Sequence, residues 1–288
     1  MKKTLWTLFF IFIISQISFS QDATIYLWKN VSGMKKENSV MYMHKPKSGT
    51  DNKGVAVIVC PGGSYHHLGL YNEGYMSTKW FSENGITAFM LKYRSAEENY
   101  HHPAMLEDLQ RAIQLVRENA EEYGIDKTKV GVIGYSAGGH LVTMAGEFGS
   151  TVNELEKLGI HTEESLRPDF CMPVYPVVSM KDPLAHHWSR DSLLGKDQSD
   201  ERKEKFSMEQ NVPSDMPPTY IVVCVDDDVV DYRNSLELNK ALSDKGIPDC
   251  EFHMYSWGKH GFGMLQGSFM EHYNWNQDLL SWIKRITE

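Results

Sequence analysis

The chain has 288 residues, with 29 Lys and Arg against 38 Asp and Glu for a formal net charge of −9. Apolar residues make up 41% and charged residues 23%, a composition that buries a sizeable core and excludes a disordered chain, a collagen-like chain and a multi-span membrane protein. The acidic excess argues against a nucleic-acid partner, because phosphate contacts need clustered Lys and Arg.

Residues 1–20 read as a targeting segment rather than as fold. Lys2 and Lys3 precede an apolar run from Leu5 to Ile14, and Ser18-Phe19-Ser20 offers small residues at the positions a signal peptidase reads. The run is too short for a comfortable membrane span, so no stable membrane insertion is expected after cleavage. The expectation is a signal peptide over 1–20, export to the periplasm or medium, and one domain over 21–288. The four cysteines match no zinc spacing, and Cys60, Cys171 and Cys224 lie in strand-like apolar runs, where they are expected as buried thiols rather than disulfides.

Apolar runs and helical patterns then alternate. Ala23 to Trp28 and Val40 to His44 read as outer strands. Gly54 to Cys60 (GVAVIVC) is continuously apolar, as a strand buried on both faces requires. Met76 to Glu83 is helical, and Ile86 to Tyr93 is the next strand. Met105, Leu109, Ala112, Ile113 and Val116 recur at helical spacing, with Glu107 and Arg111 placed for an i,i+4 pair and Gly124 as the stop. Lys129 to Tyr135 reads as strand and Ser136 to Ala145 as helix. Asp169 to Val178 is a strand with two prolines. Residues 181–215 lack periodicity and are polar, a lid-like insertion. Tyr220 to Val225, Tyr232 to Lys245, Cys250 to Tyr255 and His272 to Ile286 complete the alternation as strand, helix, strand and helix. The fold class is therefore α/β, with a mostly parallel central sheet covered on both faces.

The strongest chemical signal is Gly134-Tyr135-Ser136-Ala137-Gly138. It follows an apolar strand and opens a helix, the context of a nucleophile elbow, whose tight turn requires small neighbours around the serine. A serine hydroxyl needs a base, and His260 stands between glycines after the last strand, where the base should fall. The acid that orients it should follow the strand Tyr220 to Val225, where Asp226, Asp227 and Asp228 stand together. No metal is expected, since this run continues into no ligand-spaced carboxylates and the chain contains no HExxH. An oxyanion hole needs convergent N–H groups: one from Ala137, and one from the loop Pro61-Gly62-Gly63-Ser64-Tyr65. The doublets His66-His67, His101-His102 and His186-His187 are expected on loops where they could meet substrate, and none is assigned catalysis.

CPGGSYHHLGLYNEG, ITAFMLKYR, EDLQRAIQLVRENAEEYGID, GYSAGGH, AHHWSRDSLLG, MPPTYIVVCVDDDVV and GKHGFG together resemble the α/β-hydrolase family of bacterial carbohydrate esterases, acetylxylan-esterase-like and feruloyl-esterase-like, whose members are often labelled xylanases. The resemblance covers roughly residues 54 to 285 and implies the α/β-hydrolase fold. It implies Asp227 as the acid, aligned with the carboxylate that precedes proline in the family's DDPVVP, although this chain has Asp226-Asp227-Asp228-Val229-Val230-Asp231 there and lacks that proline. It also implies Gly63 or Ser64 as the second oxyanion donor, with Ser64 replacing a glycine of the family's PGGGY. The activity implied is hydrolysis of acetyl esters on polysaccharide or oligosaccharide by Ser136, Asp227 and His260, with no cofactor. The bulky Tyr65, Tyr135, Trp188 and Phe262 are expected to line the substrate site. The alternatives are a feruloyl or short-chain carboxylesterase, a serine peptidase, a glycosidase, and an inactive sugar-binding relative.

Overall fold

The computed structural model describes residues 21–265, 267, 269 and 272–288; the expected leader, residues 1–20, lies outside them. The strands β1 (Ala23–Tyr26), β2 (Val40–His44), β3 (Ala56–Cys60), β4 (Thr87–Lys92), β5 (Val130–Tyr135), β6 (Phe170–Val174), β7 (Tyr220–Cys224) and β8 (Glu251–Tyr255) form one sheet in the order β1-β2-β4-β3-β5-β6-β7-β8. β1 and β2 pair antiparallel, as do β2 and β4, and every pairing from β4 to β8 is parallel. This is the α/β-hydrolase fold.

β3 shows why a continuous apolar run was needed. Ala56, Ile58 and Cys60 enter one core while Val57 and Val59 enter the other, so both faces are dry. The first core is closed by α2 (Ala104–Glu118), α4 (Ala137–Phe148) and α7 (Arg233–Lys245). The second is closed by α1 (Met76–Glu83) and by the C-terminal helix Trp275–Thr287, which buries Trp275, Leu279, Trp282 and Ile283.

Several local expectations are corrected. The strand expected over Asp169 to Val178 stops at Val174, because Tyr175 turns to φ 37° and Pro176 follows. Pro173 lacks an N–H, and β6 meets β7 only at Val174–Val222 with a separate bridge at Cys171–Thr219. The helix expected to run to Gly124 stops at Glu118; a short turn, α3 (Ala120–Tyr123), then ends on Gly124 at φ 68°. Glu107 and Arg111 do not pair. The buried guanidinium of Arg94 takes Glu107 at 2.7 Å and Asp108 at 2.9 Å, while Arg111 turns to the Leu27 carbonyl and Gln114. Segment 181–215 is more ordered than its composition suggested. It holds α5 (His187–Leu194) and α6 (Asp200–Lys205), both too short to display a period, and it buries Leu193, Leu194, Phe206 and Met208.

Candidate active site

The site lies where the parallel strands end. Ser136 follows β5 with φ 54° and ψ −117°, a conformation that costs a non-glycine residue about 1–3 kcal/mol. Neighbouring backbone holds it there: its N–H donates to the Val174 carbonyl (3.0 Å), and its carbonyl accepts from Val177 N–H (3.1 Å). The glycines of the elbow are required by space. A Cβ at Gly134 would lie 2.0 Å from the Gly138 carbonyl oxygen, and one at Gly138 would lie 2.1 Å from that of Cys60. Ser136 is 5% exposed.

Of the three adjacent carboxylates, Asp227 reaches the histidine. Its Oδ2 accepts from His260 Nδ1 at 2.7 Å, and its Oδ1 accepts from the amides of Val229 and Val230, each at 2.9 Å. Nδ1 therefore carries the hydrogen, and Nε2 presents its lone pair. Asp226 instead caps the Lys259 amide at 2.9 Å, and Asp228 lies 3.5 Å from the Lys259 ammonium. Two neighbours in the chain bring serine and histidine to one place, since Val174 holds the Ser136 amide while the Tyr175 ring lies 4.6 Å from that of His260.

The loop after β3 is strongly turned, with Gly63 at φ 123° and both Ser64 and Tyr65 at φ 58°. Gly62 sits against the elbow, its absent Cβ position 2.9 Å from Ser136 Cβ. Gly63 and Ser64 follow Gly62 directly in the chain, and Ala137 opens α4, where first-turn amides have no carbonyl one turn behind them.

The expected substrate contacts divide. Tyr65 and Tyr135 are corrected: both are fully buried and offer no face to a sugar. Tyr65 O–H donates to His140 Nδ1 at 2.8 Å, because His140 Nε2 must donate to the Phe206 carbonyl (2.8 Å), and Tyr135 shares a 2.7 Å hydrogen bond with Ser77. Burial pushes the neutral His140 down to about 4. Phe262 packs the base loop, its ring 4.5 Å from Tyr175 and 4.3 Å from Phe269. Trp188 keeps 49% of its surface exposed, with its ring 5.3 Å and 5.6 Å from those of His66 and His67.

Three further residues lie near these loops, and of them Asn72 and Glu73 were not anticipated. His186 lies within electrostatic range of His260 and Asp227; burial and the nearby His260 lower its basicity. Asn72 Nδ2 donates to the Gly261 carbonyl at 2.7 Å. Glu73 accepts from the Gly62 amide at 2.7 Å and from Tyr175 O–H at 2.9 Å. The quoted stretch LGLYNEG contains Asn72 and Glu73, and an acid so close to a glycine turn in apolar surroundings was the available signal.

A serine on such an elbow, together with a histidine already paired to an acid, is the set of residues that esterases of the α/β-hydrolase fold carry. The chain belongs to the BD-FAE family, whose model matches residues 41–242. It is 30% identical to a protein of Xylanibacter ruminicola named acetylxylan esterase, over 89% of this chain and 50% of that protein. It is 31% identical to a Butyrivibrio fibrisolvens protein named endo-1,4-beta-xylanase B, over 81% of this chain and 35% of that protein. The chain thus spans half or less of the length of these relatives. Among solved structures, it is similar to an acetyl ester-xyloside bifunctional hydrolase from Caldicellulosiruptor lactoaceticus. That match has a TM-score of 0.78 and 31% identity, and it covers 92% of this chain and 97% of the other.

Proposed function

We propose that this protein is a serine esterase that removes acetyl groups from polysaccharide or its oligosaccharides. The observation that carries the reading is the Asp227–His260 hydrogen bond beside the Ser136 elbow. Ser136 Oγ attacks the ester carbonyl while His260 Nε2 takes its proton, and Asp227 holds the imidazole and stabilises its cation. The tetrahedral oxyanion is met by the amides of Ala137 and of Gly63 or Ser64. Collapse expels the sugar alkoxide, which takes the proton from His260. Water, deprotonated by His260, then releases acetate and restores Ser136.

The names of the relatives support acetyl as the acyl group and a xylan-type sugar as the alcohol. The exposed Trp188 supports a sugar, since aromatic faces suit pyranose rings. The pattern of residues 1–20 supports export to the periplasm or medium, where such polymers occur. The xylanase name belongs to a protein of which this chain spans 35%. A glycosidase needs two carboxylates across the scissile bond, whereas Asp227 is committed to His260 and two amides.

Acetate release from acetylated xylo-oligosaccharides, run beside feruloyl and butyryl esters, a peptide substrate and a reducing-end assay, tests the reading. Acetate release that disappears in Ser136→Ala is expected. Faster cleavage of feruloyl or butyryl esters would reassign the acyl group, and no ester cleavage at all would leave a sugar-binding relative.

A further inference from the structure

The π-helical turn Leu70–Tyr75 carries two polar side chains that reach different catalytic loops. Asn72 holds the histidine loop at Gly261. Glu73 holds the oxyanion loop at Gly62. Its second oxygen accepts from Tyr175 O–H, and the Tyr175 oxygen in turn accepts from the Gly263 amide at 3.1 Å. A continuous chain therefore runs from Gly263 through Tyr175 and Glu73 to Gly62, joining the loop of the base to the loop of the oxyanion hole. Wide turns of this kind inside helices often mark functional sites.

We propose that Glu73 is a positioning residue for the esterase reaction: ionised, it fixes the oxyanion loop through Gly62 and the His260 loop through Tyr175, and its charge favours the His260 imidazolium. The inference rests on the esterase reading above. The hydrogen-bond directions suit the ionised form. Gly62 N–H can only donate, and the Tyr175 oxygen already accepts from Gly263, so its own hydrogen is donated; Glu73 receives two donors and gives none. Burial raises the Glu73 pKa, while Tyr175, Gly62 and His260 each pull it down. Packing leaves the loop little freedom to respond. Cβ atoms at Gly62 or Gly69 would each lie 2.9 Å from Glu73 Oε2, so the carboxylate fits between two glycine backbones.

The charges around the pair are few. Glu73 faces His260 and the buried phenols Tyr93, Tyr135 and Tyr175. His260 faces Asp227, Glu73 and His186, while the Lys259 ammonium turns to Asp226 and Asp228.

Glu73→Gln keeps the shape but sets an NH2 group against either the Gly62 N–H or the Tyr175 O–H. Tyr175→Phe cuts the link to the histidine loop and leaves Gly62 held. Both would be compared with wild type by circular dichroism, by kcat and KM for phenyl acetate from pH 5 to 9, and by NMR titration of the His260 ring. For Glu73→Gln, the expected result is a kcat lower by roughly 10–100-fold, with KM within about threefold. The acid limb of kcat/KM should move to lower pH, because the attraction between the Glu73 carboxylate and a protonated His260 is lost. Tyr175→Phe should lower kcat by about tenfold, with a smaller movement of that limb. An unchanged His260 titration, with kcat within about threefold of wild type in a folded Glu73→Gln, would overturn the proposal. Should Glu73→Gln fail to fold, Tyr175→Phe decides: wild-type kcat there removes the brace. If wild type cleaves no ester, the esterase reading fails, and the NMR titration still decides whether Glu73 acts on His260.

Discussion

Asp227 divides its two oxygens, giving one to His260 Nδ1 and the other to the amides of Val229 and Val230. The acid is therefore fixed by its own turn before it orients the base, and its side chain is fully buried. Asp227→Asn would place an amide N–H against Nδ1 or Val229 and favour the wrong imidazole tautomer, with a loss in kcat of about 10³–10⁴-fold. Asp226→Asn retains an oxygen for the Lys259 amide, and Asp228→Asn removes one exposed ion pair, so both should stay within about tenfold of wild type. Steady-state kinetics of the three variants checks this. Asp226→Asn as the worst of the three would assign the acid to the wrong residue.

The strained elbow makes Ser136 a place where stability and turnover oppose each other. Ser136→Ala should fold as wild type and lose turnover by about 10⁴-fold or more, the usual cost of removing a triad nucleophile. Ser136→Gly should be equally inactive yet more stable than Ser136→Ala, by up to about 1–3 kcal/mol, because glycine tolerates the positive φ. Urea unfolding of the two variants measures the difference. Equal stabilities would mean that the elbow carries no strain, and turnover within tenfold of wild type in either variant would remove Ser136 as nucleophile.

Much of this site was legible because its signals are local. The elbow needs only a strand, two glycines and a helix start within a few residues, and β3 needs only an unbroken apolar run. Asp227 was not separable from Asp226 and Asp228 by residue type, because the register of one turn decides which of the three points at His260. Tyr65 and Tyr135 sit beside reactive backbone, yet their side chains turn inward, one through a left-handed φ and the other through strand alternation. The pairing of Glu73 with Tyr175 was invisible for a different reason: they lie 102 positions apart, and only the closed sheet brings them together. Glu107 and Arg111 had the right spacing, but Arg94, buried beneath them, is the stronger competitor for the acid.

His140 links stability to pH. It is buried and neutral, donating through Nε2 to Phe206 and accepting from Tyr65 at Nδ1. Its folded pKa is lowered to about 4, below the ordinary value near 6.5. A lowered histidine pKa means that its stabilising contribution is complete above pH 6.5 and is lost as pH falls toward 4, by roughly 3 kcal/mol in all. The unfolding midpoint in urea should therefore fall steadily from pH 7 to pH 4.5, and NMR should show the His140 ring still neutral at pH 5. A His140 ring that protonates near pH 6.5 in the folded protein would refute this account.

Trp188 bears on the choice of alcohol. It stands in the first turn of α5, half exposed, and its ring meets His66 and His67, which directly follow the oxyanion loop. The insertion thereby touches the loop that would hold the developing charge, and about half of the Trp188 surface stays exposed. A leaving sugar could stack there, whereas the phenol of a small aryl acetate would not reach so far. Beside it lies a depression of about 370 Å³, lined by Leu184, His186, Trp188 and Val229 among others, large enough for a further ring. Trp188→Ala should therefore raise KM for acetylated xylo-oligosaccharides by about tenfold while changing phenyl acetate kinetics by less than about threefold. Two other outcomes separate packing from binding. An equal loss of kcat on both substrates would mean that Trp188 acts only by supporting His66 and His67 beneath the oxyanion loop. No loss on either would mean that the insertion contributes nothing to the sugar site, and the preference for a carbohydrate alcohol would then have to come from another surface.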